Sequence, residues 1–279
     1  MYSINQLRDY SSLFTRSEIS RLMDNDFSSV NLKIDRYALG KKFKGDSYLK
    51  FFKKVYKILE KFYPNEYIFK NQFLNTWLKE ELGSKDSIIF NELRLGKSIA
   101  DLAMFNGISK AFEIKTILDK DYRLSGQLNT YKKVFNEVYI IIPAALIGKY
   151  EAYDEEVGII LYEGMEFILA RKAKRNELAD HELLMGMLHT KEYRQIVTRY
   201  YSELPEMNAF SQFEICKSLI SMIPYKELNV LFLEVIKQRK LNRSFFSVAN
   251  IEFNQICLSL NLCEKQKKLL IEKLSSRIT

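Results

Sequence analysis

Apolar side chains follow helical spacing at both ends of the chain and strand spacing in its middle. The helical stretches are interrupted where chain-breaking residues occur, at Leu39-Gly40, Tyr63-Pro64-Asn65, Leu204-Pro205, Ile223-Pro224 and Leu241-Asn242-Arg243-Ser244. No internal repeat or low-complexity segment interrupts the pattern. The sequence therefore predicts three parts: a basic helical segment (1–62), a mixed α/β core (63–175) and an all-helical C-terminal domain (176–279).

The middle region has an order of elements that is typical of one mixed sheet. Three β-suited runs are separated by the turn signals Gly96-Lys97 and Asn106-Gly107, which predicts a three-stranded meander. An amphipathic stretch and a nearly all-apolar run follow, as for a helix and a buried strand. The predicted strands are 87–95, 98–105, 110–115, 138–142, 157–162 and 167–171, and the predicted helices are 66–82, 122–136 and 144–153. We predict an α/β core, in which a mixed sheet is flanked by helices, with helical extensions at both ends.

Composition narrows the class of protein. The 279 residues are 47% hydrophobic and 28% charged, with 10 Gly and 4 Pro, which is typical of a globular protein. No stretch approaches the ~20 apolar residues that span a bilayer, and the N-terminus has no signal-peptide pattern. The three cysteines have no metal-ligand spacing, so we expect buried free thiols and a cytoplasmic protein without membrane partners.

Positive charge is concentrated near the N-terminus. The net charge is +8, and residues 1–62 contain 13 Lys/Arg against 7 Asp/Glu, mostly between Lys41 and Lys61. A basic segment interleaved with aromatic residues suits contact with phosphate backbones. A solvated amphipathic helix accounts for the same pattern, because Tyr48 to Phe62 show helical spacing. Both interpretations stay open at this point.

Acidic and basic residues occur at positions of the meander that face one side of the sheet. Side chains alternate along a strand, so Glu113 and Lys115 project together from the third strand. Asp101 lies across the Asn106-Gly107 turn, about where it meets Glu113. With a two-residue turn at Gly96-Lys97, Glu92 falls opposite Asp101. We therefore expect three carboxylates and one lysine to converge on one face.

Such a cluster repels itself unless a proton or a cation lies between its members. A divalent ion with oxygen ligands, Mg²⁺ or Mn²⁺, would compensate it and suits phosphodiester hydrolysis. Lys115 would orient or deprotonate the attacking water, or stabilise the transition state. The alternative is a surface ladder of salt bridges among Asp101, Glu113 and Lys115.

The arrangement of Asp101, Glu113 and Lys115 resembles the sequence motif of the PD-(D/E)XK nuclease superfamily. Asp101 takes the place of its first acidic residue, and Glu113-Ile114-Lys115 takes the place of its Glu-x-Lys. Gln127-x-x-x-Tyr131 resembles the Gln-x-x-x-Tyr element of the RecB-like branch, and residues 111–143 resemble a group of small bacterial and phage members. Ser98-Ile99-Ala100 precedes Asp101, so the nominal proline is absent. The resemblance covers roughly residues 66–171.

This resemblance implies a restriction-endonuclease-like fold and particular roles for residues. Asp101 and Glu113 would bind Mg²⁺ or Mn²⁺, and Lys115 would assist the attacking water. Gln127 would point at the metal or at Lys115. A further glutamate would come from the helix before the first strand, as Glu66 or its rivals Glu80 and Glu81. The alternative is Glu92, which the hairpin geometry places opposite Asp101. Arg123 is an additional phosphate-contact candidate.

The function predicted from the sequence is a metal-dependent nuclease that hydrolyses phosphodiester bonds, in DNA rather than RNA. A toxin-like RNase with the same site is one alternative. A nucleic-acid-binding or protein-binding module without turnover, on the same fold, is another. A homodimer or a protein partner bound through the C-terminal helices is open, since those helices have apolar stripes but no recognisable chemistry.

Overall fold

The structure is a computed structural model, and it describes residues 2–81, 87–177, 180–239 and 249–278. It divides into two compact units. The helical unit comprises residues 1–79 and 242–279, and the sheet unit comprises residues 80–241. None of the described helices is long and apolar enough to cross a membrane.

Helices occur in both units. In the described part of the chain the α-helices are α1 (Ile4–Ser12), α2 (Arg16–Met23), α3 (Ser28–Arg36), α4 (Gly40–Phe43), α5 (Tyr48–Phe62), α6 (Glu66–Phe73), α7 (Lys79–Glu81), α8 (Leu124–Lys132), α9 (Ile147–Tyr150), α10 (His181–Met187), α11 (Thr190–Tyr200), α12 (Gln212–Ser221), α13 (Tyr225–Lys237), α14 (Asn254–Ser259) and α15 (Glu264–Leu274). A π-helical turn covers Leu74–Leu78, and 3₁₀ turns cover Ala144–Leu146 and Ile251–Phe253.

Polar caps start the helices of the helical unit. The side chains of Ser3, Thr15, Ser47 and Asn65 each accept a hydrogen bond from the backbone N–H three residues later. Their apolar faces then pack into one core that is rich in aromatic rings, with Phe51, Phe52 and Tyr10 fully buried. The expectation of helices over residues 1–62 is confirmed.

The C-terminal helices α14 and α15 belong to this same unit. Phe253, Leu270 and Leu274 are buried in one cluster with Ile19 and Leu59. The predicted separate domain over 176–279 is therefore wrong at this end. Periodicity identifies an apolar helix face, but it does not tell which distant segment covers that face. The break predicted at 241–244 lies outside the described residues.

The sheet unit contains six strands in the order β1-β2-β3-β4-β5-β6. Their bounds are β1 (Ile88–Leu95), β2 (Ser98–Phe105), β3 (Ser109–Ile114), β4 (Glu137–Pro143), β5 (Gly158–Glu163) and β6 (Glu166–Arg171). Strand β4 pairs in parallel with β3 and β5, while the other neighbours are antiparallel. The predicted mixed sheet is confirmed, and each strand end lies within one residue of its predicted position.

Turns set the register of the meander. Leu95 pairs with Ser98, so the Gly96-Lys97 turn has two residues, and Gly96 has the left-handed φ (57°) that glycine adopts readily. The turn at Asn106-Gly107 is one residue longer, because Phe105 pairs with Ser109. Leu102 pairs with Phe112, and the next positions along, Asp101 and Glu113, are then neighbours across the two strands.

Helices on the sheet complete the core of the second unit. Leu124, Leu128 and Tyr131 of α8 are buried against it, and α8 is shorter than the predicted 122–136. The helices α10 to α13 also pack on this core, where the Phe105 and Phe232 rings lie 5.9 Å apart. Residues 176–241 are thus part of the sheet unit, contrary to the three-part division predicted at 1–62, 63–175 and 176–279.

The predicted helix 66–82 is interrupted in the middle. It consists of α6, the π-helical turn Leu74–Leu78 and α7, and its predicted end at Gly83 lies outside the described residues. Of the three cysteines, Cys216 and Cys257 are buried free thiols as expected, whereas Cys263 is half-buried.

Candidate active site

Asp101 lies in β2, next to the end of β3. Its Oδ2 atom accepts a hydrogen bond of 2.8 Å from the backbone N–H of Ile114. The two strands are antiparallel, so this bond fixes the carboxylate beside the position of Glu113. The predicted approach of Asp101 to Glu113 therefore agrees with the register of the sheet.

Glu113 is almost fully buried, with 2% of its surface exposed. The Lys115 ammonium donates a hydrogen bond of 2.8 Å to Oε1. The Tyr131 hydroxyl lies 2.8 Å from Oε2 and 2.6 Å from the backbone carbonyl oxygen of Ile99. Both carboxyl oxygens are therefore held by protein groups, and Tyr131 connects α8 with two strands.

Burial decides the protonation of Glu113. Burial raises the pKa of this carboxyl, and the nearby charge of Asp101 raises it further. The contacts with Lys115 and Tyr131 lower it, and the resulting pKa of Glu113 is about 7. The Tyr131 hydroxyl has one proton to share between two acceptors. When Glu113 is protonated, it can donate to the hydroxyl while the hydroxyl donates to Ile99, and every group is satisfied.

Lys115 is buried beside these carboxyl groups, immediately after β3. Burial would lower the pKa of its ammonium, but the negative charges of Glu113 and Asp101 outweigh burial and raise that pKa. Lys115 is thus a cation at neutral pH. Such a group can stabilise negative charge or donate hydrogen bonds, whereas the role of a base requires its neutral form.

Gln127 and Tyr131 lie one turn apart on α8. The Gln127 Nε2 atom is 3.4 Å from the Tyr131 hydroxyl, which is a long contact. Gln127 was expected to point at a metal or at Lys115, and the structure instead places it against Tyr131. Its connection to Glu113 is therefore indirect.

Glu92 lies opposite Asp101 in the register of β1 and β2, as predicted, but its backbone is not that of a strand. It is exposed, its φ is 55°, and the ladder between β1 and β2 is interrupted there, with pairs recorded on either side at Asn91–Leu102 and Leu93–Ala100. The left-handed backbone turns a residue out of the alternating pattern. Across the described ranges, no group of three or more His, Cys, Asp or Glu that could hold a metal is found. The predicted metal site of three carboxylates is therefore not found among the described residues, although Glu92 lies opposite Asp101 in the ladder.

The other candidate glutamates have different partners. Glu66, in the helical unit, forms an ion pair of 2.5 Å with Lys70. Glu81, in the sheet unit, forms one of 2.6 Å with Lys110 at the opposite end of β3 from Lys115. The site in the sheet unit thus consists of Asp101, Glu113 and Lys115, with Tyr131 as the added hydrogen-bonding residue.

A loop with exposed apolar side chains follows Lys115. Thr116 and Asp119 close its turn through the Asp119 carboxylate, which accepts from both the backbone and the hydroxyl of Thr116. Beyond it the Tyr122 ring is 77% exposed, and the guanidinium of Arg123 lies 5.2 Å from the ring centre. The predicted site did not include this surface, although apolar residues in an otherwise polar loop are a readable signal.

Removing the hydroxyl of Tyr131 tests whether it holds Glu113. Tyr131→Phe leaves the carbonyl of Ile99 and one oxygen of Glu113 without this partner, so we expect the free energy of unfolding to fall by about 1–3 kcal/mol. The pKa of Glu113 should rise further, since its contact with Tyr131 lowers it. Urea unfolding and NMR titration measure the two effects. Tyr153→Phe, at a 40% exposed residue, is the matched control, and equal stability of both variants would contradict the assignment.

Comparisons with known proteins place these residues in a wider context. A model of the family described as bacteriophage P4 protein cII matches residues 60–259, more than half of the chain and a range that includes the whole site. Protein cII of Enterobacteria phage P4 is 27% identical over 131 residues, which cover 44% of this chain and 50% of the relative. The chain thus spans about half the length of this curated relative.

Among solved structures, SPO1766 from Silicibacter pomeroyi, a protein of unknown function, matches with 13% identity and a TM-score of 0.33. The match covers 49% of this chain and 92% of that protein.

Proposed function

The chain belongs to the bacteriophage P4 protein cII family, and we propose that it is a metal-dependent nuclease that hydrolyses phosphodiester bonds, with DNA as its substrate. The observation that supports the proposal most strongly is the contact between Lys115 and the buried carboxyl of Glu113, beside Asp101. Two carboxyl groups and an ammonium in one place match the residue types that the PD-(D/E)XK motif requires. The order of a meander, a helix and a parallel strand is compatible with a restriction-endonuclease-like core.

The donor set fits a magnesium or manganese ion. Mg²⁺ in phosphoryl-transfer sites is commonly held by one or two carboxylates, with water and substrate phosphates as the other ligands. Asp101 and Glu113 provide two carboxylates, so a third one from Glu92 is unnecessary. With a pKa of about 7, Glu113 exchanges its proton near neutral pH, and a cation at this position would replace that proton.

Each residue then has a role in the proposed reaction. The bound ion would supply Lewis-acid chemistry, polarising the scissile phosphate and lowering the pKa of water. Lys115, as a cation, donates hydrogen bonds to oxygens on which negative charge develops. Tyr131 orients the Glu113 carboxyl, and the N–H of Ile114 orients Asp101. Gln127 acts through Tyr131 and is therefore a positioning residue.

A binding module without turnover is the second candidate. It is favoured by the contacts of Lys115 and Tyr131 with both carboxyl oxygens of Glu113, and because no group of three His, Cys, Asp or Glu that could hold a metal is found within the described ranges. Under this alternative Glu113 binds and releases its proton near neutral pH without taking part in a reaction, and the charged cluster has only a structural role.

A cleavage assay distinguishes the two candidates. We expect the purified protein to cleave plasmid or single-stranded DNA with Mg²⁺ or Mn²⁺, and EDTA to abolish the cleavage because Asp101 and Glu113 need the ion. Gel electrophoresis and end-labelled oligonucleotides record the products. Faster cleavage of RNA than of DNA would favour the toxin-like RNase. Binding of nucleic acid without any cleavage, under either metal, would replace the nuclease with the binding module.

A further inference from the structure

A lysine-lined groove lies in the helical unit. It has a volume of about 420 Å³ and is lined by Phe43, Asp46, Lys50, Lys53, Lys54 and Lys57. The four lysines belong to α5, whose buried face is apolar. Their spacing of three, four and seven residues places them on one side of that helix.

The lysines of the groove differ in how far their charge is compensated. Lys50 forms an ion pair of 2.8 Å with Asp46. Lys53 donates to the carbonyl oxygen of Ala249, and its Nζ lies 4.0 Å from a carboxylate oxygen of Glu252. Lys54 and Lys57 are exposed and form no ion pair with any residue in the described parts of the chain. The groove therefore keeps an excess of positive charge, most of it at these two residues.

The dimensions of this surface select a ligand class. From Lys50 to Lys57 the helix rises about 10 Å, because each residue adds about 1.5 Å. One strand of B-DNA places a phosphate every ~3.4 Å along its axis, so a row of this length can contact more than one phosphate of the same strand. The aromatic ring that lines the groove, Phe43, is 6% exposed, so it offers little surface for base stacking. The groove thus has charge for a backbone and little surface on which bases could stack.

We propose that this groove binds the phosphodiester backbone of nucleic acid, independently of its sequence. The proposal deepens the nuclease function and rests on it for the identity of the substrate. It assigns the binding contacts to Lys54 and Lys57, with Lys50 and Lys53 beside them. A face that only keeps the protein in solution is the competing explanation, and a binding experiment separates the two.

The test measures binding of the full-length protein to a fluorescent DNA duplex in EDTA, where a metal-dependent reaction does not occur. Lys54→Gln/Lys57→Gln should weaken binding about 10–100-fold at 0.1 M salt. A plot of log K against log salt concentration should become less steep by about 1.8, since two phosphate contacts are lost and each contributes about 0.9 on duplex DNA. Both lysines are exposed, so circular dichroism should show an unchanged fold.

The matched control is Lys265→Gln/Lys268→Gln, which removes the same charge from two exposed residues of α15 in the same unit. We expect less than a twofold change in its affinity. Equal weakening in both variants, or no binding by the unaltered protein, would overturn the proposal. If Lys54→Gln/Lys57→Gln lost binding to phosphatidylserine vesicles but kept its binding to DNA, the groove would be assigned to membranes instead. Because the test needs no metal, its outcome is independent of whether cleavage occurs.

Discussion

Lys115→Met is expected to slow metal-dependent cleavage about 10²–10⁴-fold while the protein stays folded. The substitution keeps most of the side-chain volume and removes the cation that contacts Glu113 at 2.8 Å. Two consequences follow from the lost charge. Negative charge on the reacting phosphate loses a stabilising partner, and the pKa of Glu113 rises because Lys115 lowers it. The rate–pH profile should therefore shift to higher pH as well as fall.

Single-turnover cleavage of an end-labelled duplex across pH 6–9 measures both effects. Lys110→Met is the matched control, since Lys110 belongs to the same strand but pairs with Glu81. Its rate should stay within about threefold of the unaltered protein. Asp101→Asn should be at least as slow as Lys115→Met, because the amide oxygen can still accept from Ile114 while the charge is lost. Full activity in Lys115→Met or Asp101→Asn would exclude this site as the place of reaction.

Glu113→Gln is expected to change how stability depends on pH. The folded protein holds the Glu113 proton up to a pKa of about 7, against an ordinary value of 4.5. Between these pH values the folded state binds more protons than the unfolded state, so this group's contribution to the free energy of unfolding falls as pH rises. The loss should total about 3 kcal/mol by pH 8 and should be absent in Glu113→Gln.

The difference in unfolding free energy between Glu113→Gln and the unaltered protein should be measured at pH 4.5 and at pH 8, and the two values compared. Other titrating groups cancel in this difference, and so does any constant cost of leaving Lys115 without its partner. Glu166→Gln, at an exposed residue of β6, should give a difference that does not vary with pH. Saturating Mg²⁺ should reduce the pH dependence of the unaltered protein, since a bound cation favours ionised Glu113. If the difference between Glu113→Gln and the unaltered protein did not change with pH, the raised pKa of Glu113 would be contradicted.

Local patterns in the sequence were sufficient to predict the framework of the site. Glycine at position 96 specifies a tight turn, and the alternation along β3 places Glu113 and Lys115 on one face. The turn at Asn106-Gly107 sets the register between β2 and β3, which puts Asp101 next to Glu113. The nearly all-apolar run that became β4 is buried because strands cover both of its edges and helices pack on the sheet.

Other parts of the site depend on contacts that no local pattern encodes. The positive φ of Glu92 interrupts the alternation that was used to place its side chain. Tyr131 was identified through the resemblance of its motif, but its bonds to Ile99 and Glu113 require β2, β3 and α8 to be assembled. The protonation of Glu113 likewise depends on burial, which is a property of the folded chain.

Domain boundaries failed for a related reason. The sequence shows amphipathic helices after residue 176, and it gives no sign of which core each one completes. Helices α10 to α13 cover the sheet, whereas α14 and α15 bury Phe253, Leu270 and Leu274 with the N-terminal helices. The change of partner occurs between α13 and α14, and the break predicted at 241–244 does not tell which core each helix completes.

The discontinuous helical unit has a consequence for synthesis on the ribosome. Its first helices emerge early, but the residues of α14 and α15 that complete its core are translated after the entire sheet unit. The sheet unit can therefore reach its native state first. The aromatic side chains of α5 stay without partners that lie more than 180 residues later in the chain, such as Phe253, which contacts Phe52. During that interval the nascent chain exposes apolar surface, and chaperone binding to it should end when the last helices leave the exit tunnel.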